Sequence, residues 1–385
     1  MKFLDKIKNL TSKGEQMNLN VVSNMETKPV FANTSITADQ VYTAILYKER
    51  NGSLQKLNIL YNKLWEADAN LAACIDTRTE ALKSKQPVLQ TELSQQQTEY
   101  LLQVQREFYP MLVDAIIEYK LKGYMFKQIE YEQRQDGFIY PTSLLSYKYV
   151  DLRASNNKLV LYHNDKPKSL ADFKFFAFLN NRSILQPLLK YYIFKSFAIN
   201  NWASFTEIFG KPMRIGKYKP GATKTEKDQL WEMLQNAGTD LAAMISENVV
   251  MDFVDNQNKA ASSNLYNDLL KFCEDTTTKR ILGQTLTSNA EKTGSFAQAK
   301  VHDMVRRDIL SGDARDLTLL INHFYSNLMQ INFGNYKVAT TIDVSPEIDL
   351  LERVQIDRTL ANEIGIEFPE DYWHKTYKVP DPREQ

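Results

Sequence analysis

Apolar positions change period several times along the chain, and each change predicts an element. In "ADANLAACIDTRTEALKSK", Leu71, Ile75 and Leu82 fall near one helical face, Asp68 is placed to cap the start, and Pro87 closes the segment. A second helix is expected over 101–121, with Gly123 stopping it. "YMFKQIEYEQRQDGFIYPTSLL" then reads as two strands around Asp136-Gly137, a dipeptide that readily takes positive φ in a tight turn. "KYVDLRASNNKLVLYH" repeats that pattern with a turn at Asn156-Asn157. The first folded part, starting near Ser35, is therefore mixed α and β with helices ahead of strands.

From about Ile184 the period becomes helical without a break in "ILQPLLKYYIFKSFAINNWASFTEIFG", and Pro187 fits the first turn. A helix of about 25 residues reaches about 37 Å. Tyr191, Tyr192, Phe194, Phe197, Trp202, Phe205 and Phe209 occupy more than one face, which predicts cover from several sides. A small module follows. "PMRIGKY" alternates like a strand, with Met213 and Ile215 on one side and Arg214 on the other. Thr223 and Glu226 have capping-box spacing, and Leu230, Met233 and Ala237 continue at helical intervals up to Gly238. "NVVMDFVD", 248–255, supplies a second strand and completes a β-α-β unit.

A second long helix carries Leu265, Leu269, Phe272 and Ile281 in rough register. One long helix leads into the module and one leads out, so the pair is expected to run antiparallel and present it at the far end. "TLTSNAEKTGS" reads as a loop. Two more amphipathic helices should follow, the clearer one holding Leu317, Leu320, Ile321, Phe324, Leu328 and Ile331. The tail offers a short strand, "KVATTIDV", and a helix over 349–364. The fold class is α+β, mainly helical.

The 385 residues suffice for two or three domains. Lysines plus arginines equal aspartates plus glutamates at 47 each, and a neutral chain argues against tight non-specific grip on nucleic acid. Cys74 and Cys273 stand far apart without CxxC spacing, which fits a reducing compartment and argues against a disulfide framework or a zinc site. No run has the length of a membrane span. The basic start, 1–34, lacks the apolar core of a signal peptide and reads as a tail.

Chemistry is scarce. "KPGATKTEK" has one glycine and no GK[ST], so a turn followed by a helix cap explains it better than a phosphate loop. His163, His302, His323 and His374 sit in no HExxH pattern and near no cysteine pair. Glu347, Asp349 and Glu352 suit the first turn of a helix. Cys273 lies on an apolar face and reads as a small core residue. One local charge feature stands out. Lys211, Arg214, Lys217, Lys219, Lys224 and Lys227 gather in the module with a single acid, Glu226, between the first and last of them. They form either a solvated face or a contact for an acidic partner or passing DNA phosphates. No catalytic residue, metal site or cofactor is expected.

"WASFTEIFGKPMRIGKY", with "EKDQLWEML", "FCEDTTTKRILGQTLT" and "GSFAQAKVHDMVRRDIL", resembles the portal proteins of Mu-like tailed bacteriophages. "DANLAACIDTRTEALKS" and the ending "PEIDLLERVQIDRTLANEIGIEFPEDYWHKTYKVPDP" are similar to that family as well, and the likeness extends over roughly 65 to 382. It implies a phage portal fold: a tail (1–34), an α/β wing (35–183), stem helices (184–210 and 258–284) and a clip (211–257). Wing helices over 285–333 and a C-terminal region over 334–385 complete it, with little room for a large crown. It also implies a tunnel loop at 285–295, with Thr287, Ser288, Asn289, Lys292 and Thr293 beside the channel. The implied role is structural and non-enzymatic. The chain would form a homo-oligomeric ring, usually a dodecamer, at the capsid vertex, assembled in the host bacterial cytoplasm and retained in the virion. The implied partners are the major capsid protein, the terminase large subunit, the head-tail adaptor, and double-stranded DNA packaged and later ejected without sequence specificity. Two rivals come from other classes: a monomeric adaptor, which would stay monomeric at high concentration, and a metal-dependent nuclease using Glu347 or Asp349.

Overall fold

A computed structural model describes residues 35–146, 151–163, 166–168, 174–180, 182–209, 214–219, 221–236, 242–246, 259–285, 296–334, 337–345, 350–369 and 372–377. The fold is α+β and mainly helical, as the periodicities predict. It divides into two compact units, Met1–Ile342 and Asp343–Gln385.

The first unit opens with α1 (Ala38–Asn51), α2 (Gln55–Ala67) and α3 (Ala69–Lys83). Asp68 ends α2 and caps α3, accepting from the amides of Asn70 at 3.1 Å and Leu71 at 3.2 Å. β1 (Pro87–Leu89) pairs antiparallel with β10 (Thr340–Ile342), so the expected strand at 337–344 is present in shorter form. Between them in sequence, α4 runs from Gln95 to Lys122. It starts six residues before the expected 101 because Ser94 and Gln97 form a reciprocal capping box. Gly123 stops it at φ 80°, where an added Cβ would lie 2.7 Å from the Arg182 carbonyl carbon. Only glycine meets both demands.

β2 (Tyr124–Gln133) is central in a sheet of order β3-β2-β7, flanked by β3 (Ile139–Leu145) and β7 (Phe175–Leu179). The β2–β3 hairpin turns at Asp136 and Gly137, the latter at φ 84°. β4 (Asp151–Ser155), β5 (Lys158–His163) and β6 (Lys166–Lys168) form an antiparallel meander, with Asn156 and Asn157 at φ 48° and 61° in its first turn.

The core lies where α4 meets the sheet and the last long helix of this unit, α8 (Phe296–Phe333). Phe108 stacks on Phe324 at 5.2 Å, and Phe176 from β7 meets the same ring edge-on at 5.4 Å. Two helices were expected over 296–333; one of 38 residues is found, about 57 Å long. Gly312, the residue best placed to break it, has open space around its Cα and stays helical.

α5 (Leu185–Phe209) and α7 (Lys259–Leu282) are the long helices expected before and after the module, within a residue or a few of expectation. Between them lie β8 (Arg214–Tyr218), α6 (Lys224–Asn236) and β9 (Ala242–Ser246). β8 and β9 pair in parallel, which makes the module a β-α-β unit. The strand expected at 248–255 lies outside the described residues.

The second unit contains α9 (Leu350–Asn362) and α10 (Tyr372–Tyr377). Its centre is polar: buried Asp357 accepts from the hydroxyls of Tyr372 at 2.9 Å and Tyr377 at 2.6 Å.

Candidate functional site

The part of the fold with the least local purpose is the helix pair α5–α7 with the module between them. Ring contacts set the direction of the pair. Tyr191 meets Phe272 and Phe205 meets Tyr266, each at 6.1 Å between centroids, so the helices run antiparallel. α5 was expected to be covered on several sides. Within the chain it is covered on part of its circumference only, with Leu185, Leu188, Leu189 and Ala198 buried and Phe194 and Phe197 exposed.

Two polar clamps hold the base of the pair. Lys195 of α5 reaches Asp68 at 3.0 Å and Glu274 of α7 at 2.9 Å, joining both long helices to the cap of α3. Burial opposes the Lys195 charge, but these two carboxylates outweigh it and raise its pKa. Asn70 adds bonds to the Glu274 carbonyl at 3.3 Å and the Thr278 hydroxyl at 3.4 Å. In the second clamp, Arg78 of α3 grips buried Asp313 of α8 through two bonds of 2.7 and 2.9 Å. Its third bond, 2.9 Å to the Ile281 carbonyl, satisfies an acceptor in the last turn of α7. These residues were not singled out in the sequence. One signal was legible: Asp313 stands four residues before Leu317 on the buried stripe of α8, a position where a carboxylate needs a partner.

Past that clamp, Gly283 turns the chain at φ 76°, and a Cβ there would meet Val305 Cγ1 of α8 at 2.6 Å. The end of α7 and the start of α8 thus approach closely on either side of the predicted loop. Thr287, Ser288, Asn289, Lys292 and Thr293 lie outside the described residues, as do Glu347 and Asp349.

In the module, Lys217, Lys219 and Lys224 are exposed, whereas Lys227 is half-buried with its ammonium 4.6 Å from the centre of the Tyr218 ring. Arg214 is the first residue of β8, opposite Ala242. Lys211 lies outside the described residues. The predicted capping box forms: Thr223 donates to Glu226 from its amide at 2.7 Å and accepts from the Glu226 amide at 3.4 Å. Those bonds from Thr223 lower the Glu226 pKa. Exposed Asp228 and Glu232 follow on α6, so the cations share the module with acids. Met233, expected on the packed face of α6, is 70% exposed.

A cleft of about 270 Å³ between α2, α4 and β2 is lined by Asn58, Asn62, Trp65, Glu118, Lys122 and Tyr124, among others. Lys122 donates to Glu118 at 2.7 Å, Asn62 at 2.8 Å and Asn58 at 3.0 Å, and Lys127 also pairs with Glu118. Burial alone would raise the Glu118 carboxyl, but the two ammonium groups hold it at about 2. This network ties elements together and leaves no poised acid or base. Among the described residues, no group of three His, Cys, Asp or Glu side chains could hold a metal, and no helix is long and apolar enough to cross a membrane. Cys74 and Cys273 are buried, and burial raises both thiols.

The chain is 33% identical over 147 residues to the portal protein of Escherichia phage Mu, a stretch covering 38% of this chain and 28% of that one. It is 30% identical over 213 residues to the Mu-like prophage FluMu protein gp29 of Haemophilus influenzae, covering 53% of this chain and 40% of the relative. The matched stretches thus span less than half the length of either curated relative. The family described as the portal protein of Mu bacteriophage matches residues 59–379, from α2 to just beyond α10. That span takes in both long helices, the module between them and the clamps at their base, and the chain belongs to the Mu bacteriophage portal protein family.

Proposed function

We propose that the protein is a structural portal subunit, forming a ring at the capsid vertex through which DNA is packaged and later leaves. The observation that carries this reading is the antiparallel pair α5–α7 bearing a β-α-β module, inside the stretch that matches the portal family. The helices are the stem and 211–257 the clip, which faces the terminase during packaging and the head-tail adaptor afterwards. Lys217, Lys219 and Lys224, with Lys211 and Arg214, are its candidate contacts to an acidic partner surface or to passing phosphates. Residues 35–183 together with 285–333 make the wing, and the loop 285–295 borders the channel.

The physics agrees with a conduit. Each strong phosphate contact would hold a strand that has to move, so a chain of zero net charge suits the wall. The protein acts by shape and assembly, without catalysis or a cofactor.

Native mass spectrometry and negative-stain microscopy of the purified full chain test this directly. Rings of about a dozen subunits with a central hole are expected, closed by head-to-tail contacts. A compact monomer at every concentration would overturn the reading.

A further inference from the structure

The cleft between α2, α4 and β2 has a hydrogen-bond balance that its own residues do not close. Its amide and carboxylate oxygens are engaged. Asn58 Oδ1 accepts from Lys122 and from the Tyr124 hydroxyl, both at 3.0 Å, and Asn62 Oδ1 accepts from Lys122 at 2.8 Å. Glu118 accepts from Lys122 through one oxygen and from Lys127 through the other, and Ser146 Oγ accepts from Lys127. Donors are left over. Among the described residues, the Asn62 side-chain amide, the Trp65 indole N–H and the Ser146 hydroxyl proton have no acceptor, and all three residues line the cleft. Charge leans the same way. Lys122 and Lys127 are more than nine-tenths buried and converge on Glu118, whereas Glu66, the other acid of the lining, is exposed.

We infer that this cleft is a binding site for a carboxylate carried on a small apolar body, as at an acidic or C-terminal residue of a peptide. A carboxylate is the ligand that a surplus of donors asks for. It brings two acceptor oxygens with about four lone-pair sites and no proton of its own to place. Its bonds from neutral donors are charge-assisted, and two ammonium groups lie behind them. The body of the ligand meets Trp65, Phe126 and Leu152, which give the cleft apolar walls. Its volume of about 270 Å³ suits a single residue. A phosphate dianion fits less well, because Glu118 and Glu66 would both repel its second charge. The cleft is complete within one chain and is lined by no residue of α5, α7 or the module, so its occupancy is independent of ring formation.

Titration of the purified full chain, followed by tryptophan fluorescence, tests this, with Trp65 one of four tryptophans. N-acetyl-leucine offers a terminal carboxylate, and N-acetyl-glutamate blocked as its α-amide offers a side-chain one. N-acetyl-leucinamide and inorganic phosphate are the comparisons. A saturable change is expected with a carboxylate, and the tighter of the two identifies the source. The neutral amide and phosphate should bind at least about tenfold more weakly, and Trp65→Phe should lose the signal. Asn62→Asp keeps an oxygen for Lys122 but replaces a donor with a negative charge. It should keep the far-UV circular dichroism of the wild type and bind the carboxylate at least about tenfold more weakly. If that variant does not fold, the comparison of acid with amide, located by Trp65→Phe, decides alone. Equal binding of acid and amide, tighter binding of phosphate, or wild-type affinity in folded Asn62→Asp overturns the inference. So does the absence of any response to either carboxylate, which would leave water as the acceptor for these donors.

Discussion

In α4 the aromatic side chains Tyr100, Phe108 and Tyr109 turn inward and are almost wholly buried, whereas in α5 Phe194 and Phe197 face solvent. Both helices are long, at 28 and 25 residues, and both are rich in large apolar residues. They differ in what else they carry. α4 has a polar side that includes exposed Glu99 and Asp114, so one apolar stripe is left for the core. α5 has only Lys190, Lys195 and Glu207 as charged residues, and large apolar residues stand among its uncharged polar ones. A helix with large apolar residues on more than one face asks for cover on more than one face. α4 finds its cover within its own chain. α5 finds only part of it there.

The widest contrast comes from paired truncations. Phe108→Ala, which removes a ring stacked on Phe324, should cost about 3–5 kcal/mol of stability. The corresponding Phe197→Ala should change monomer stability by about 0.5 kcal/mol or less, because little is buried there. Urea unfolding of both variants under monomeric conditions measures the difference, and equal losses would break the comparison.

A second test addresses the polar support of α4. The Glu118 carboxyl is held at about 2, below its usual 4.5, so it contributes stability above pH 4.5 that disappears as pH falls toward 2. The wild type should lose on the order of 2–3 kcal/mol more than Glu118→Gln across that window. Parallel curves for the two proteins would show that the Lys122–Glu118–Lys127 network is energetically silent.

At α5 the comparable support is smaller. Asp68→Ala removes the α3 cap and one partner of Lys195, and should cost about 1–2 kcal/mol. Hydrogen exchange should speed up in the first turn of α3 and around residue 195. Exchange unchanged at 195 would mean that Glu274 alone holds the helix.

The smallest effect is expected on α6. Met233→Ser exchanges an exposed side chain and should shift stability by about 0.5 kcal/mol or less. A larger loss would place Met233 in a packed role and weaken the distinction between covered and uncovered helices.

Features with short-range causes were legible in the sequence. Asp68 caps α3, Thr223 and Glu226 close their box, and Gly123 and Asn156-Asn157 turn the chain where expected. The misses share a cause in distance along the chain. The start of α4 moved because a capping box at Ser94 outweighed the first apolar position. The strand Ala242–Ser246 was not read from the sequence, because its parallel pairing with β8 is not encoded in local alternation. Residues 296–333 became one helix because its second half is buried against α4 and the sheet, and nothing at Gly312 interrupts it. The module cations were visible as a group, but half-burial of Lys227 over Tyr218 was not.

By itself the sequence determined many of the elements with their caps and turns, the antiparallel order of two long helices around a small module, and the absence of recognisable catalytic motifs. These follow from steric preference and from hydrogen bonds between residues a few positions apart. Only the tertiary structure decided that Arg78 would be matched by Asp313 and Lys195 by Asp68 and Glu274, pairings made across 79 residues or more. It also decided which aromatic side chains would be spent on the core and which left outside. Burial depends on what the rest of the chain brings alongside, and no local pattern in α5 records that Phe194 and Phe197 are left uncovered.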